Sequence, residues 1–177
     1  FHSNSGGQTA NSEDVWRTAL PYLRSVPDTF SYRMRQSEWV KVVPEDKWLN
    51  YFATKHKLNV QSDSIRRELL TFSQPTRKVR ICGVPLTRIR TDFQLKSTFF
   101  SVLYDKSAHK VTISGHGFGH GVGLSQEGTI RMVHLGYSYD SIIRYYYTGS
   151  RVAYDESHPH TYVENYVKQI AKIIEVP

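Results

Sequence analysis

Between Gly115 and Gly123 the chain reads Gly-His-Gly-Phe-Gly-His-Gly-Val-Gly, five glycines in nine residues. Such alternation suits neither a helix nor a strand, because each glycine forgoes side-chain packing and carries backbone freedom that an element interior must remove. It suits a loop that turns tightly and lets a ligand approach the main chain while His116 and His120 project from it. Three chemistries come into question. A phosphate loop needs its glycines at a set spacing between strand and helix, and a Walker-type loop needs a lysine; the segment fits neither well. A metal site built from His116, His120 and His2 or His134 has suitable ligand types but lacks the His-Glu-x-x-His arrangement on a helix. The favoured reading is a rigid turn lining a polar cleft, with an imidazole and an amide as hydrogen-bonding tools for a hydroxyl-rich ligand. No cofactor or metal is called for.

The rest of the chain can support such a loop. A domain of 177 residues buries roughly 70% of its unfolded surface, enough for a core without staples. Its 39% hydrophobic and 13% aromatic content excludes a disordered protein. The lone Cys82 excludes an intrachain disulfide and a cysteine-based zinc cluster. A net charge of +7 and a pI near 9.5 imply attraction to a polyanion: nucleic acid, an anionic membrane face or an acidic wall polymer. Nucleic acid has no further support, since neither an aromatic RNA-binding motif nor helix-turn-helix spacing is found. No run approaches the ~18 apolar residues of a membrane span.

Periodicity predicts an α+β fold with a mixed sheet, several short helices and the Gly/His-rich loop at a cleft. Helices are expected over Glu13 to Leu20, Pro44 to Lys55, Ser64 to Phe72, Thr87 to Phe93, Ser125 to Gly136 and Asp140 to Tyr147, from apolar spacing and capping residues. Strands are expected over Glu38 to Val43 and Lys78 to Cys82, the latter before a Gly83-Val84-Pro85 turn. Thr98 to Tyr104 and Lys110 to Ser114 read as a hairpin. Beyond His160, Val163, Val167, Ile170 and Ile174 fall on one stripe of an amphipathic tail helix.

Two segments carry a family resemblance. Gly117-Phe118-Gly119-His120-Gly121-Val122-Gly123-Leu124-Ser125-Gln126, followed by a helix, Gly136 and Ile142-Ile143-Arg144-Tyr145-Tyr146-Tyr147-Thr148-Gly149, is similar to the C-terminal signature of the SpoIID/LytB family. The opening Phe1-His2-Ser3-Asn4-Ser5-Gly6-Gly7-Gln8-Thr9, with Asp14-Val15-Trp16 and Pro21-Tyr22-Leu23, resembles that family's other hallmark. The resemblance implies a SpoIID-like domain over residues 1–152 lacking its N-terminal segment, then a linker and tail helix over 153–177. It implies an extracytoplasmic protein at the cell wall. One activity in the family is lytic transglycosylase cleavage of peptidoglycan strands stripped of stem peptides, alongside a wall amidase. Another member enhances such an amidase without cleaving. In lytic cleavage the sugar's own 6-hydroxyl replaces water, and one carboxyl group serves as acid and then base.

The family's acid/base Glu lies upstream of the Phe-His-Ser element, so it is expected in a segment preceding Phe1, which the membrane anchor would also occupy. Glu127 is not promoted in its place, because a Glu in the first turn of a helix is more often a dipole-compatible surface residue. His2 and His120 are assigned supporting catalytic roles. Ser3, Ser5, Gly6, Gly7, Gly121, Ser125, Gln126 and Tyr146 are assigned to the substrate. The rival for each is structural: a capped surface turn around His2, and ties that merely fix the loop at His120 and Gln126. Of Tyr145, Tyr146 and Tyr147 at least one belongs to the core and one can stack on a pyranose ring. Trp16 is read as packing, and Arg77, Lys78, Arg80, Arg88 and Arg90 as a solvated face. Expected partners are glycan strands, a wall amidase and membrane-bound proteins.

Overall fold

A computed structural model describes residues 1–153. The elements in chain order are α1 (Glu13–Trp16), β1 (Glu38–Pro44), α2 (Glu45–His56), α3 (Asp63–Leu70), β2 (Arg80–Ile81), β3 (Val84–Pro85), α4 (Leu86–Asp92), β4 (Phe100–Asp105), β5 (Lys110–His116), α5 (Gln126–His134) and α6 (Tyr139–Tyr146), with a single 3-10 turn at Thr29–Ser31. The fold is α+β. Both sheets are antiparallel: β1-β5-β4, and the small β2-β3 hairpin. Among the described residues, parallel pairing is confined to isolated bridges at His2–Ser125 and Ala10–Val122.

Strand alternation sets the main core. Trp39 and Val43 of β1, Val111 and Ile113 of β5, and Phe100 and Val102 of β4 point to one face of the sheet and are buried. Helices α2, α3 and α4 cover that face with Trp48, Leu49, Phe52, Leu69, Leu86 and Ile89. Trp48 is wholly enclosed, and its indole N–H donates to the Leu69 carbonyl at 2.9 Å, so the ring's one polar atom is satisfied. A separate small cluster of Met132, Ile142 and Tyr146 closes α5 against α6.

Several expected elements shift. Helix α1 stops at Trp16 because Arg17 takes a left-handed conformation at its C-cap. Val84 and Pro85 form a return strand; the turn lies one step earlier, at Cys82 and Gly83, which both have positive φ as a two-residue hairpin loop requires. Ser125 is the N-cap of α5, its hydroxyl accepting from Gly128 N–H at 3.2 Å. The amphipathic tail beyond His160 lies outside the described residues.

Trp48→Ala is expected to cost about 3–5 kcal/mol, the usual range for truncating a fully buried large aromatic. Urea unfolding checks this; a loss under 1 kcal/mol, on the order of a surface change, would show that the sheet–helix core closes elsewhere.

Candidate functional site

The N-terminal segment and the His/Gly loop form one interlocked unit. His2 N–H donates to Leu124 O at 3.0 Å and Gln126 N–H returns to His2 O at 2.9 Å. Asn4 and Phe118 exchange a pair of backbone bonds at 3.1 and 2.8 Å, and Ala10 N–H reaches Gly121 O at 2.7 Å. Glu127 N–H donates to Ser3 O at 3.0 Å. The first two amides of α5 are therefore spent on the N-terminal segment and the third on the Ser125 hydroxyl.

Close backbone approach makes the glycines necessary. Gly117 has φ +76, and a Cβ there would lie 2.5 Å from the Asn4 carbonyl oxygen; a Cβ on Gly6 would strike the His116 backbone at 2.6 Å. Each of the two hallmark segments thus excludes side chains where the other passes.

Side chains reinforce the seam. Asn4 donates to Ser31 O at 2.9 Å and to Glu127 Oε2 at 2.7 Å, and its own oxygen accepts from Gly6 N–H at 2.7 Å. Glu127 Oε2 also accepts from Gln36 N–H at 3.1 Å. Glu127 is thus a structural tie between α5, the N-terminal segment and the loop before β1, which is more than a surface residue. Arg77 is turned inward, contrary to its assignment to a solvated face: its guanidinium donates to Ser5 O and Gln8 O at 2.6 Å each and stacks on Phe99 with its centre 4.7 Å from the ring. Burial lowers its pKa to about 10, leaving it charged at neutral pH.

The two histidines are held neutral by opposite tautomers. The ring of His2, 4% exposed, uses Nδ1–H to donate to Val122 O at 3.2 Å, since a carbonyl can only accept. Its Nε2 is left as a buried lone pair with no partner. Burial above all, with the nearby His120, lowers its pKa to about 3. His120 is the reverse: Nε2–H donates to Phe1 O at 2.8 Å and Nδ1 accepts from Val122 N–H at 3.1 Å. Burial lowers its pKa also. The two rings meet edge to face at 5.5 Å.

Outside this pair lies the open surface. Trp16 is 47% exposed with its ring 4.9 Å from that of His120, so it offers an aromatic face where packing was expected. Phe1 and Gln126 are exposed, and Ser3 is partly so. Ser5, Gly6, Gly7, Gly121 and Ser125 are buried beneath. Tyr146 corrects an expectation: it has no exposed face to stack on a sugar. Its hydroxyl donates to Asp28 Oδ1 at 3.0 Å, while Ser5 Oγ donates to Asp28 Oδ2 at 2.7 Å. Its ring fills the core between α6 and Gly128, where a Cβ would come 2.2 Å from the hydroxyl oxygen. The structure sets the His2 and His120 rings 5.5 Å apart and ties the Gln126 backbone to His2; Trp16, Asn4 and Arg77 were not singled out for this site. Among the described residues no group of three or more His, Cys, Asp or Glu is placed to hold a metal ion.

An α+β frame whose two hallmark segments interlock around paired histidines defines the class of domain, and comparison with known proteins identifies it. The chain is 34% identical over 162 residues to stage II sporulation protein D of Bacillus subtilis (strain 168), covering 86% of this chain and 44% of the relative. It is 33% identical over 173 residues to stage II sporulation protein D of Bacillus amyloliquefaciens, covering 89% and 45%. An amidase enhancer of Bacillus subtilis (strain 168) is 26% identical over 204 residues, covering 85% and 29%. No family model matches the chain. The chain belongs to the SpoIID-like family, and it spans less than half the length of these relatives.

Two outcomes test the seam. Gly117→Ala should cost about 1–3 kcal/mol more than Gly136→Ala, because both glycines have positive φ but a Cβ at Gly136 meets nothing within 4 Å; equal losses in denaturant unfolding would remove the close approach as the cause. The second concerns acid. The unfolded chain protonates His2 near 6.5 while the folded chain resists until about 3, so this contribution is whole above 6.5 and lost as pH falls toward 3. Between 6.5 and the ordinary glutamate value of 4.5, His2 should account for about 2 kcal/mol of lost stability. His2→Gln should flatten that slope in urea unfolding; an unchanged slope would assign it to other groups.

Proposed function

We propose that the chain forms the glycan-facing body of a peptidoglycan lytic transglycosylase, acting outside the cytoplasmic membrane on strands stripped of stem peptides. The observation that carries this is the Trp16–His120 ring pair, with Trp16 47% exposed, near the start of α5 where the exposed Gln126 bonds through its backbone to His2. A pyranose ring stacks on an aromatic face through its C–H groups, and an amide suits an N-acetyl group. Ser3 stands at the rim as a further hydroxyl partner. Ser5, Gly6, Gly7, Gly121 and Ser125 act by holding these groups in place.

The acid/base carboxyl group is assigned to a segment upstream of Phe1. Both histidines are neutral, His120 has both ring nitrogens committed and His2 is enclosed, so neither is suited to deliver the proton itself; they act by fixing the loop beside the exposed aromatic face. The sporulation protein D relatives support a role in the cell wall during sporulation. A wall amidase and membrane-bound proteins are the partners of this reading, with the anchor in the upstream segment. The amidase-enhancer relative favours a second reading, a noncatalytic wall-binding subunit that stimulates an N-acetylmuramoyl-L-alanine amidase.

With peptide-free glycan strands, this chain should release no 1,6-anhydro ends, and the protein extended by its upstream segment should release them. In the extended protein Trp16→Ala should lower turnover about tenfold, as lost stacking does, without lowering unfolding stability comparably. Robust turnover by the present chain would overturn the placement of the acid. Stimulation of an amidase by an extended protein that never cleaves glycan would select the enhancer.

A further inference from the structure

Lys41 occupies a strand position where an apolar side chain is expected. On β1 the residues facing the helices are Trp39, Lys41 and Val43; the first and last are buried, and Lys41 is half-buried between them. Its register partner on β5 is Ile113, fully buried. The ammonium reaches the Phe93 carbonyl, just past α4, at 2.6 Å. That bond uses one of its three donors. Among the described residues no carboxylate pairs with it. A cation brought toward a core without a counter-charge costs free energy unless something else supplies the charge.

Beside it opens a cavity of about 280 Å3 between β1, α2 and the end of α4, walled by Lys41, Lys47 and Lys55 over Tyr51 and Phe93, with Asp92 at one side. Asp92 is already shared: it accepts from the Tyr51 hydroxyl at 2.9 Å and lies 3.2 Å from Lys55 and 3.8 Å from Arg88. Tyr51 adds no negative charge, because burial and then its bond to Asp92 raise its pKa well above the usual phenol range. His56, 3.0 Å from the Tyr51 hydroxyl, supplies none either. Three ammonium groups therefore face one carboxylate that is also claimed from outside the cavity, and Lys41 and Lys47 have no anionic partner among the described residues.

We propose that this cavity is a phosphate-binding site, taking the phosphate of a phosphodiester, and that it is separate from the glycan-facing surface and independent of the reading given to that surface. Three ammonium point charges suit a tetrahedral group with several oxygens, whereas a planar carboxylate is better matched by the fork of an arginine, and the cavity is lined by none. The rings of Tyr51 and Phe93 displace water from two walls and so strengthen the attraction. A volume near the lower end for ligand pockets fits one phosphate with a small polyol on either side.

The test is an NMR titration of the isotopically labelled 177-residue chain with inorganic phosphate. Saturable shifts are expected at the amides of Val43, Phe93 and Gln94, with millimolar or tighter affinity. The double variant Lys41→Met, Lys47→Met should weaken binding at least about tenfold. The double variant Lys106→Ala, Lys110→Ala, which removes the same charge from the β4–β5 hairpin, should leave it unchanged. Lys47→Ala, at an exposed position, serves as the milder variant should the inward Met disturb packing. Absent saturation, shifts spread over basic residues throughout the chain, or equal weakening in both double variants would overturn the site. Soluble glycerol-phosphate oligomers and phosphatidylglycerol vesicles, each against phosphatidylcholine vesicles, then separate a wall-polymer source from a lipid one by which displaces inorganic phosphate. Displacement by neither would overturn the phosphodiester assignment.

Discussion

The candidate site depends on the backbone ladder between the first ten residues and the loop from Gly117 to Gln126. That ladder supplies partners for main-chain groups on both sides, and neither segment has regular structure of its own from which to obtain them. Polar, glycine-rich strands of this kind gain little from apolar burial, so their hydrogen bonds must be nearly complete for the pair to hold. Asn4, Glu127 and Arg77 complete the set from three different parts of the chain. The histidines, the exposed tryptophan and the start of α5 all take their positions from it.

The same ladder accounts for the electrostatic character of the site. Each histidine has a tautomer dictated by Val122, whose carbonyl faces one ring and whose N–H faces the other. Protonating His120 would put a hydrogen where the Val122 N–H already points. Protonating His2 would bury a charge without an acceptor. In a protein of net charge +7, neither histidine of the site thus adds a cation, and its one inward cation, Arg77, is taken up by backbone carbonyls.

Sequence periodicity located α2, α3, β1 and the β4–β5 hairpin to within a few residues, because each has an apolar face that only one period satisfies. The fold class was legible in the sequence, and the two hallmark segments that bring His2 and His120 together were visible as motifs. What could not be read was the direction of individual side chains. Tyr145, Tyr146 and Tyr147 are equivalent as a string, and only the placement of Asp28 and Gly128 decides that the middle one is enclosed. Arg77 reads as one more surface cation, since its acceptors are carbonyls some seventy residues earlier. Lys41 was hidden in the same way: alternation placed it on the inner face of β1, but its destination at Phe93 depends on how α4 ends.

The pairing of Asn4 with Phe118, and of His2 with Val122 across 120 positions, has a bearing on how the chain reaches its fold. The sheet and helices α2 to α4 lie between these segments and can assemble from nearer contacts. Residues 4–9 can bond Val26, Asp28 and Ser31 early, but their pairs with the loop wait until the chain beyond β5 has been made, so this long-range closure comes late in folding. Whatever holds residues 2–10 away from the loop in the meantime delays the pairing of the two histidines, which come together only when segments more than a hundred residues apart close on each other.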